Sequence, residues 1–271
     1  MNARLFVFGL RRAGGALLIV IAAPLWAQAP TDINGLLDRI TARIESFNPK
    51  SSWTASVTST QIETDRKWNP EKTTVQSKAV TVTEGRRDEN VLKVIETKNG
   101  KTTDVTERVL AEHRARHEKS QARRPASPEP APRKPAERGR GRLSMRTDLS
   151  ELLPFSPERR TEFSFRAQET TDGDGRRLVL LDVRAKVKDP MNFEGTYTID
   201  AATASPIRAR LTPSENPSMV KELEVEADFE VLEDIHFIPK RTRIKVNAGF
   251  LFIKRIHIIS EEVYSDVRIT R

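Results

Sequence analysis

Between Lys221 and Val231 the chain alternates strictly. Leu223, Val225, Ala227, Phe229 and Val231 take every second position, and Glu222, Glu224, Glu226, Asp228 and Glu230 fill the positions between. A period of two is that of a β-strand, here with one apolar and one acidic face. After a turn near Glu233-Asp234 the sign inverts, because Ile244 and Val246 alternate with Arg241, Arg243 and Lys245. An antiparallel hairpin sets the acidic row beside the basic row on one face and the apolar rows side by side on the other, so its register is specified twice.

Near the other end of the chain the period changes. Ile33, Leu36, Leu37, Ile40, Ile44 and Phe47 follow i, i+3, i+4, i+7 spacing, with Asp32 placed to cap the start and Asn48-Pro49 to end the run. This predicts an amphipathic helix of about four turns, marginal alone and in need of a sheet to lie on. Short β-rich runs follow at Trp53–Ile62, Thr73–Thr83 and Glu89–Thr97, the last ending in the hairpin signal Lys98-Asn99-Gly100-Lys101. From Asp104 to Lys119 the pattern leaves helix and extended chain open. Leu149, Leu152, Leu153 and Phe155 form a short apolar cluster before Pro157. Strands resume at Thr161–Gln168, Arg177–Val187, Phe193–Asp200, Pro206–Thr212, Met219–Leu232, Phe237–Val246, Phe250–Ile259 and Tyr264–Ile269. Many strands and few helices predict an α+β fold built on a single antiparallel sheet.

Composition changes this picture in two places. Gln121–Arg146 packs five prolines among eight Lys or Arg residues and two Glu. Such a segment buries too little apolar surface to offset its ordering entropy, so it is expected to be a disordered insertion. The N-terminus places Arg4, Arg11 and Arg12 before the apolar run Ala16–Ala23 and then Leu25-Trp26-Ala27-Gln28-Ala29. That is the layout of a cleavable signal peptide over residues 1–29, and it predicts a periplasmic or secreted protein. The net charge of +8 is accounted for by these two segments. The remainder, residues 30–271 without the insertion, is close to neutral and offers no basic face for nucleic acid.

The search for reaction chemistry returns little. The chain has no cysteine, which excludes disulfides, thiolate metal sites, a cysteine nucleophile and a lipid-bearing N-terminal cysteine. His113 and His117 stand at i, i+4, but no third ligand is evident and arginines surround them, so no metal site is expected. His257 reads as a strand-face residue and His236 as a turn residue. Asp172-Gly173-Asp174-Gly175 lacks the downstream acidic ligands of a calcium loop and reads as a tight turn. The glycines form no phosphate-cradling loop. No cofactor is implied and no enzymatic activity is expected.

Taken together, the leader, the early helix and the antiparallel run resemble the LolA/LolB-like family of outer-membrane lipoprotein-sorting proteins. The likeness is most recognisable in Phe193-Glu194-Gly195-Thr196-Tyr197-Thr198-Ile199-Asp200, Pro206-Ile207, Val220-Lys221-Glu222-Leu223, Phe237-Ile238-Pro239 and Lys254-Arg255. The resemblance implies a strongly curved sheet forming an incomplete β-barrel, with an N-terminal amphipathic helix and a short helical lid on the concave side. It also implies a carrier that holds lipid or lipoprotein acyl chains between helix and sheet. The candidate lining is then Leu36, Leu37, Ile40, Ile44 and Phe47 on the helix, with Leu223, Val225, Phe229, Ile244, Val246, Phe250 and Phe252 on the sheet. These residues could equally form a closed, dry core. The rival functions are an envelope sensor or interaction module on the same fold and, less well supported, a hydrolase. The insertion departs from the family pattern; it is either a solvated loop or a basic arm touching anionic membrane. No signal for oligomerisation is evident, and a monomer is expected. Deleting Gln121–Arg146 is expected to leave the melting temperature of the exported protein almost unchanged in differential scanning calorimetry.

Overall fold

The computed structural model describes residues 32–47, 51–84, 86–122, 153–250 and 254–270. The expected leader, residues 1–29, lies outside them, as do residues 123–146 of the insertion. Three helices are described: α1 (Ile33–Ser46), α2 (Thr106–Ala122) and α3 (Pro157–Arg160). The strands are β1 (Trp53–Thr64), β2 (Pro70–Thr83), β3 (Arg86–Lys98), β4 (Lys101–Asp104), β5 (Phe163–Thr171), β6 (Arg177–Ala185), β7 (Phe193–Asp200), β8 (Pro206–Pro213), β9 (Val220–Leu232), β10 (His236–Phe250) and β11 (Lys254–Ile269).

All eleven strands form one sheet in the order β4-β3-β2-β1-β11-β10-β9-β8-β7-β6-β5, and every neighbouring pair is antiparallel. Two meanders, β1 to β4 and β5 to β11, are therefore joined by the pairing of β1 with β11. The free edges, β4 and β5, do not pair, so the sheet is an incomplete barrel rather than a closed one. Edge β4 is only four residues long, and all four are exposed. It covers β3 only from Ile95 to Lys98.

One cross-strand row can be followed through all eleven strands by partner residues. It reads Phe165, Val183, Gly195, Leu211, Val225, Ile244, Ser260, Gln61, Thr74, Glu96, Thr103 from β5 to β4. The first six positions are apolar or glycine and the last five are polar. The inner face thus changes character between β10 and β11. The apolar half carries the main core, into which α1 inserts Leu36, Leu37 and Ile40. A smaller cluster of Trp53, Ala55, Val57, Val80, Val82, Ile238 and Tyr264 sits where β1 begins. Phe237 and Ile238, adjacent on β10, join different clusters: Phe237 packs on the main core and Ile238 on the smaller one.

The predicted ladder forms as the alternation requires. Arg241 faces Asp228, Arg243 faces Glu226 and Lys245 faces Glu224, while Ile244 faces Val225 and Val246 faces Leu223. The helix starts where the cap predicts, with the Asp32 carboxylate accepting from the Gly35 amide at 3.1 Å. Two readings need correction. Of the predicted strand Phe250–Ile259, Phe250 ends β10, and the part from Lys254 runs on through Tyr264–Ile269 as one 16-residue strand, β11. The polar stretch Ser260-Glu261-Glu262 does not break it, because polar residues of β1 and β10 lie opposite. The segment from Asp104 ends a short strand and then forms α2, which runs through Ala122 and so includes the first two residues of the predicted insertion.

Gly195 of β7 lies opposite Leu211 of β8. Its φ is 149°, and a Cβ there would collide with the Arg210 carbonyl oxygen. Gly195→Ala is expected to destabilise the fold by about 1–3 kcal/mol in urea denaturation, with the strand signature retained in circular dichroism.

Candidate ligand-binding site

The structure brings the described candidate residues into one place. Leu36, Leu37 and Ile40 of α1 and Leu223, Val225 and Phe229 of β9 are buried in a single cluster, with Ile44, Ile244 and Val246 half-buried against it. Phe47 lies flat on Phe237 at 5.0 Å between ring centroids, and Phe237 lies on Phe229 at 4.7 Å. This three-ring stack seats the end of α1 on β9 and β10. Phe250 ends β10, its backbone paired with Lys254, and Phe252 lies outside the described residues.

Sequence reasoning left out the residues that fill the deepest part of this cluster. Phe155, Phe163, Leu181, Phe193, Tyr197 and Ile199 are all almost fully buried beside the named residues. The alternation of Phe193, Tyr197 and Ile199 along β7 was visible, but nothing local tells which strands α1 covers. Phe155 meets Tyr197 edge to face at 4.9 Å. The Tyr197 hydroxyl has no hydrogen-bond partner among the described residues, and burial pushes its pKa well above the usual phenol range.

Polar ties hold α1 along both flanks. On one, Arg39 donates to the Ala201 carbonyl at 2.7 Å and Arg43 donates to Ser205 Oγ at 3.0 Å. On the other, Arg160 of α3 donates to the Leu37 carbonyl, Thr41 Oγ1 and Asp38, each at 2.5 Å. Thr41 donates in turn to the Phe155 carbonyl at 2.6 Å. Arg160 reaches α1 across more than a hundred residues of sequence, which is why no local pattern marked it.

The polar half of the inner face is organised by a different group. Glu262 on β11 receives Lys78 at 3.3 Å, Arg87 at 3.1 Å and the Tyr264 hydroxyl at 3.0 Å. Arg87 also donates to Tyr264 Oη at 2.7 Å and pairs with Glu89 at 2.8 Å. Burial opposes ionisation of Glu262, yet the Arg87 and Lys78 charges outweigh it and hold the carboxyl below its usual range. The outer face carries the acidic and basic ladder, with Lys245 to Glu222 at 2.6 Å, Arg210 to Glu226 at 2.8 Å and Arg241 to Glu261 at 2.6 Å.

Two buried histidines are better placed than their sequence reading suggested. His236 opens β10, with Nδ1 at 2.7 Å from Ser51 Oγ. The carboxylate closest in sequence, Asp234, is exposed and reaches towards Arg43 at 3.8 Å, so the pair works as a clasp between the chain entering β1 and the β9–β10 turn. His257 lies in a row with Thr64 and Asn247 on the outer face. The Trp68 ring stands edge-on to it at 5.0 Å, and among the described residues both His257 ring nitrogens and Asn247 Oδ1 lack partners. His113 is exposed on α2, and among the described residues no group of three or more His, Cys, Asp or Glu could hold a metal ion. The turn predicted at Asp172 forms, its carboxylate accepting from the Asp174 and Arg176 amides at 3.0 and 2.9 Å.

No protein-family model matches the sequence, and no curated protein does. Solved structures do resemble it. A LolA superfamily protein from Nitrosomonas europaea is 11% identical, with a TM-score of 0.34 over 88% of this chain and 93% of that one. A putative outer membrane lipoprotein-sorting protein domain from Vibrio parahaemolyticus is 8% identical, with a TM-score of 0.34 over 86% and 92%. A DUF1329 family protein from Desulfovibrio piger is 11% identical, with a TM-score of 0.36 over 88% and 92%. Two of the three carry the family name that the sequence resemblance suggests. TM-scores this low do not bear on function, which has to rest on the residues of this chain.

The Glu262 group gives a pH expectation. A carboxyl with a lowered native pKa adds stability above its ordinary value of 4.5, and that stability is lost as pH falls through the native value. Glu262→Gln should therefore cost about 1–2 kcal/mol at neutral pH. The difference from the parent should shrink on acidification, as measured by urea midpoints across pH.

Proposed function

We propose that the chain is an exported, non-enzymatic binding protein of the cell envelope that holds acyl chains of lipids or lipoproteins against the apolar half of its sheet. The observation that carries this reading is the way the apolar half is covered. One amphipathic helix, α1, lies over it, fixed by side-chain ties along its flanks, while Ile44, Ile244 and Val246 remain only half-buried at the margin of the cluster. Displacing such a helix exposes a continuous apolar wall, and an acyl chain replaces the helix contacts at ~0.8 kcal/mol per buried methylene. The polar half of the same face then confines the chain to the strands from β5 to β10.

A second reading has its own support. Ile40, Phe155, Leu181 and Tyr197 are essentially inaccessible, which suits a closed core and a sensor or interaction module that binds protein rather than lipid. The two readings separate cleanly in solution. Native mass spectrometry of the protein from its own envelope is expected to show co-purifying lipid, and a fluorescent fatty-acid probe is expected to bind. Ile244→Glu should weaken the probe at least about tenfold with little change in the melting temperature. Absence of both lipid and probe binding would discard the carrier reading in favour of the interaction module.

A further inference from the structure

The strand-connecting turns divide into two ends, and the ends differ in charge. One end carries the β1–β2, β3–β4, β6–β7 and β8–β9 turns, the other the β2–β3, β5–β6, β7–β8 and β9–β10 turns. At the first end Arg66, Lys67, Lys98, Lys101, Lys186 and Lys188 outnumber Asp65, Asp189 and Glu215. At the second end the balance reverses, with Glu84, Asp172, Asp174, Asp200, Glu233 and Asp234 outnumbering Arg86, Arg176 and Arg177. The molecule is thus polarised along its strands.

The basic end also presents apolar side chains to solvent. Val187 is 63% exposed and Met191 and Met219 are each 54% exposed. They stand on one continuous rim. The β6–β7 and β8–β9 turns are tied by Ser214 N to the Asn192 carbonyl at 2.7 Å and by Asp189 N to Ser214 Oγ at 3.0 Å. The β8–β9 turn is tied to β10 by Gly249 N to the Met219 carbonyl at 2.8 Å. Met219 is held at a φ of 71°, a left-handed conformation that a side-chain-bearing residue adopts only under constraint. Behind this rim the inner-face residues Val220, Val246, Ala248 and Ile258 are half-buried and Ile256 is exposed. The ties of Arg39 and Arg43 to the β7–β8 and β9–β10 turns place that flank of α1 at the opposite, acidic end.

We infer that the basic end, through Val187, Met191 and Met219 with Lys186, Lys188 and Lys221 around them, docks on an anionic phospholipid bilayer. Apolar tips surrounded by lysines suit an interface whose headgroups are negative and whose interior is apolar, since the lysine stems lie along the apolar layer while their ammonium groups meet phosphate. The acidic end is repelled by the same surface, which fixes orientation. The inference deepens the acyl-chain reading and rests on it, because at the docked end the inner-face residues Val246, Ala248 and Ile258 are only half-buried and Ile256 is exposed.

The test is flotation of the full exported chain with vesicles of phosphatidylcholine alone or mixed with phosphatidylglycerol. The protein is expected to float with the mixed vesicles, at least about tenfold more strongly than with neutral ones at low salt, and to be released as salt rises. The triple variant Val187→Asp, Met191→Asp, Met219→Asp should lose at least about tenfold of this binding with an unchanged melting temperature. Lys186→Glu with Lys221→Glu should weaken it and flatten its salt dependence. Binding by the triple variant equal to the parent overturns the proposal and assigns the attachment to the basic segment Gln121–Arg146. No flotation overturns it as well. Fatty-acid probe binding, measured without vesicles, is the separate readout for the acyl-chain reading. Flotation without probe binding leaves the docking rim standing and removes the cargo, whereas probe binding without flotation does the reverse.

Discussion

The pairing of β1 with β11 is the constraint on which the rest of the structure depends. Every other neighbouring pair in the sheet joins strands that follow one another in sequence, so each can form locally. This pair runs from Trp53↔Ile269 to Thr64↔His257 and joins residues about two hundred positions apart. Closing so long a loop costs little more entropy than closing a moderate one, because the cost grows with the logarithm of length. The kinetic penalty is larger, since non-local pairing must be found before it is rewarded. Without this seam there are two meanders, each with an extra raw edge and an incomplete core. With it, the Glu262 group can form at all, because Lys78 and Arg87 come from the first meander and Glu262 and Tyr264 from the second.

The seam also explains how the two halves of the inner face divide the work. On the β5 to β10 side the side chains are apolar and α1 is laid over them, so burial supplies the stability. On the β11 to β4 side they are polar, and the Glu262 group and a smaller apolar cluster supply it instead. The boundary falls one strand from the seam, between Ile244 and Ser260. A bound apolar chain would gain contact on one side of that boundary and meet half-buried charges on the other.

Much of the fold was legible wherever the signal is local. The cap at Asp32, the period of α1, the Asn99-Gly100 hairpin and the double alternation of β9 and β10 each follow from neighbouring residues, and each is found as read. That Leu223, Val225 and Phe229 share one buried apolar face was legible for the same reason, since alternation defines that face. What sequence did not reveal is long-range. Arg160 gripping α1, Ser51 meeting His236, and Glu262 collecting cations from β2 and β3 all depend on the seam and on which strands the helix crosses. The polar run Ser260-Glu261-Glu262 stays within β11 because polar residues of β1 and β10 lie opposite, partners that a single strand does not show.

An open sheet of this width has a liability of its own, because both outer strands offer unpaired backbone to any passing extended chain. The short edge β4 leaves much of β3 unpaired, and in that stretch Arg86, Arg87, Asp88, Glu89 and Lys93 concentrate charge, four of them in succession. A second strand laid alongside would have to match charges residue by residue and desolvate them. On the opposite edge, β5 carries Arg166 and Glu169, one on each face of its pleat. The sheet can thus remain unclosed without its edges inviting a further strand.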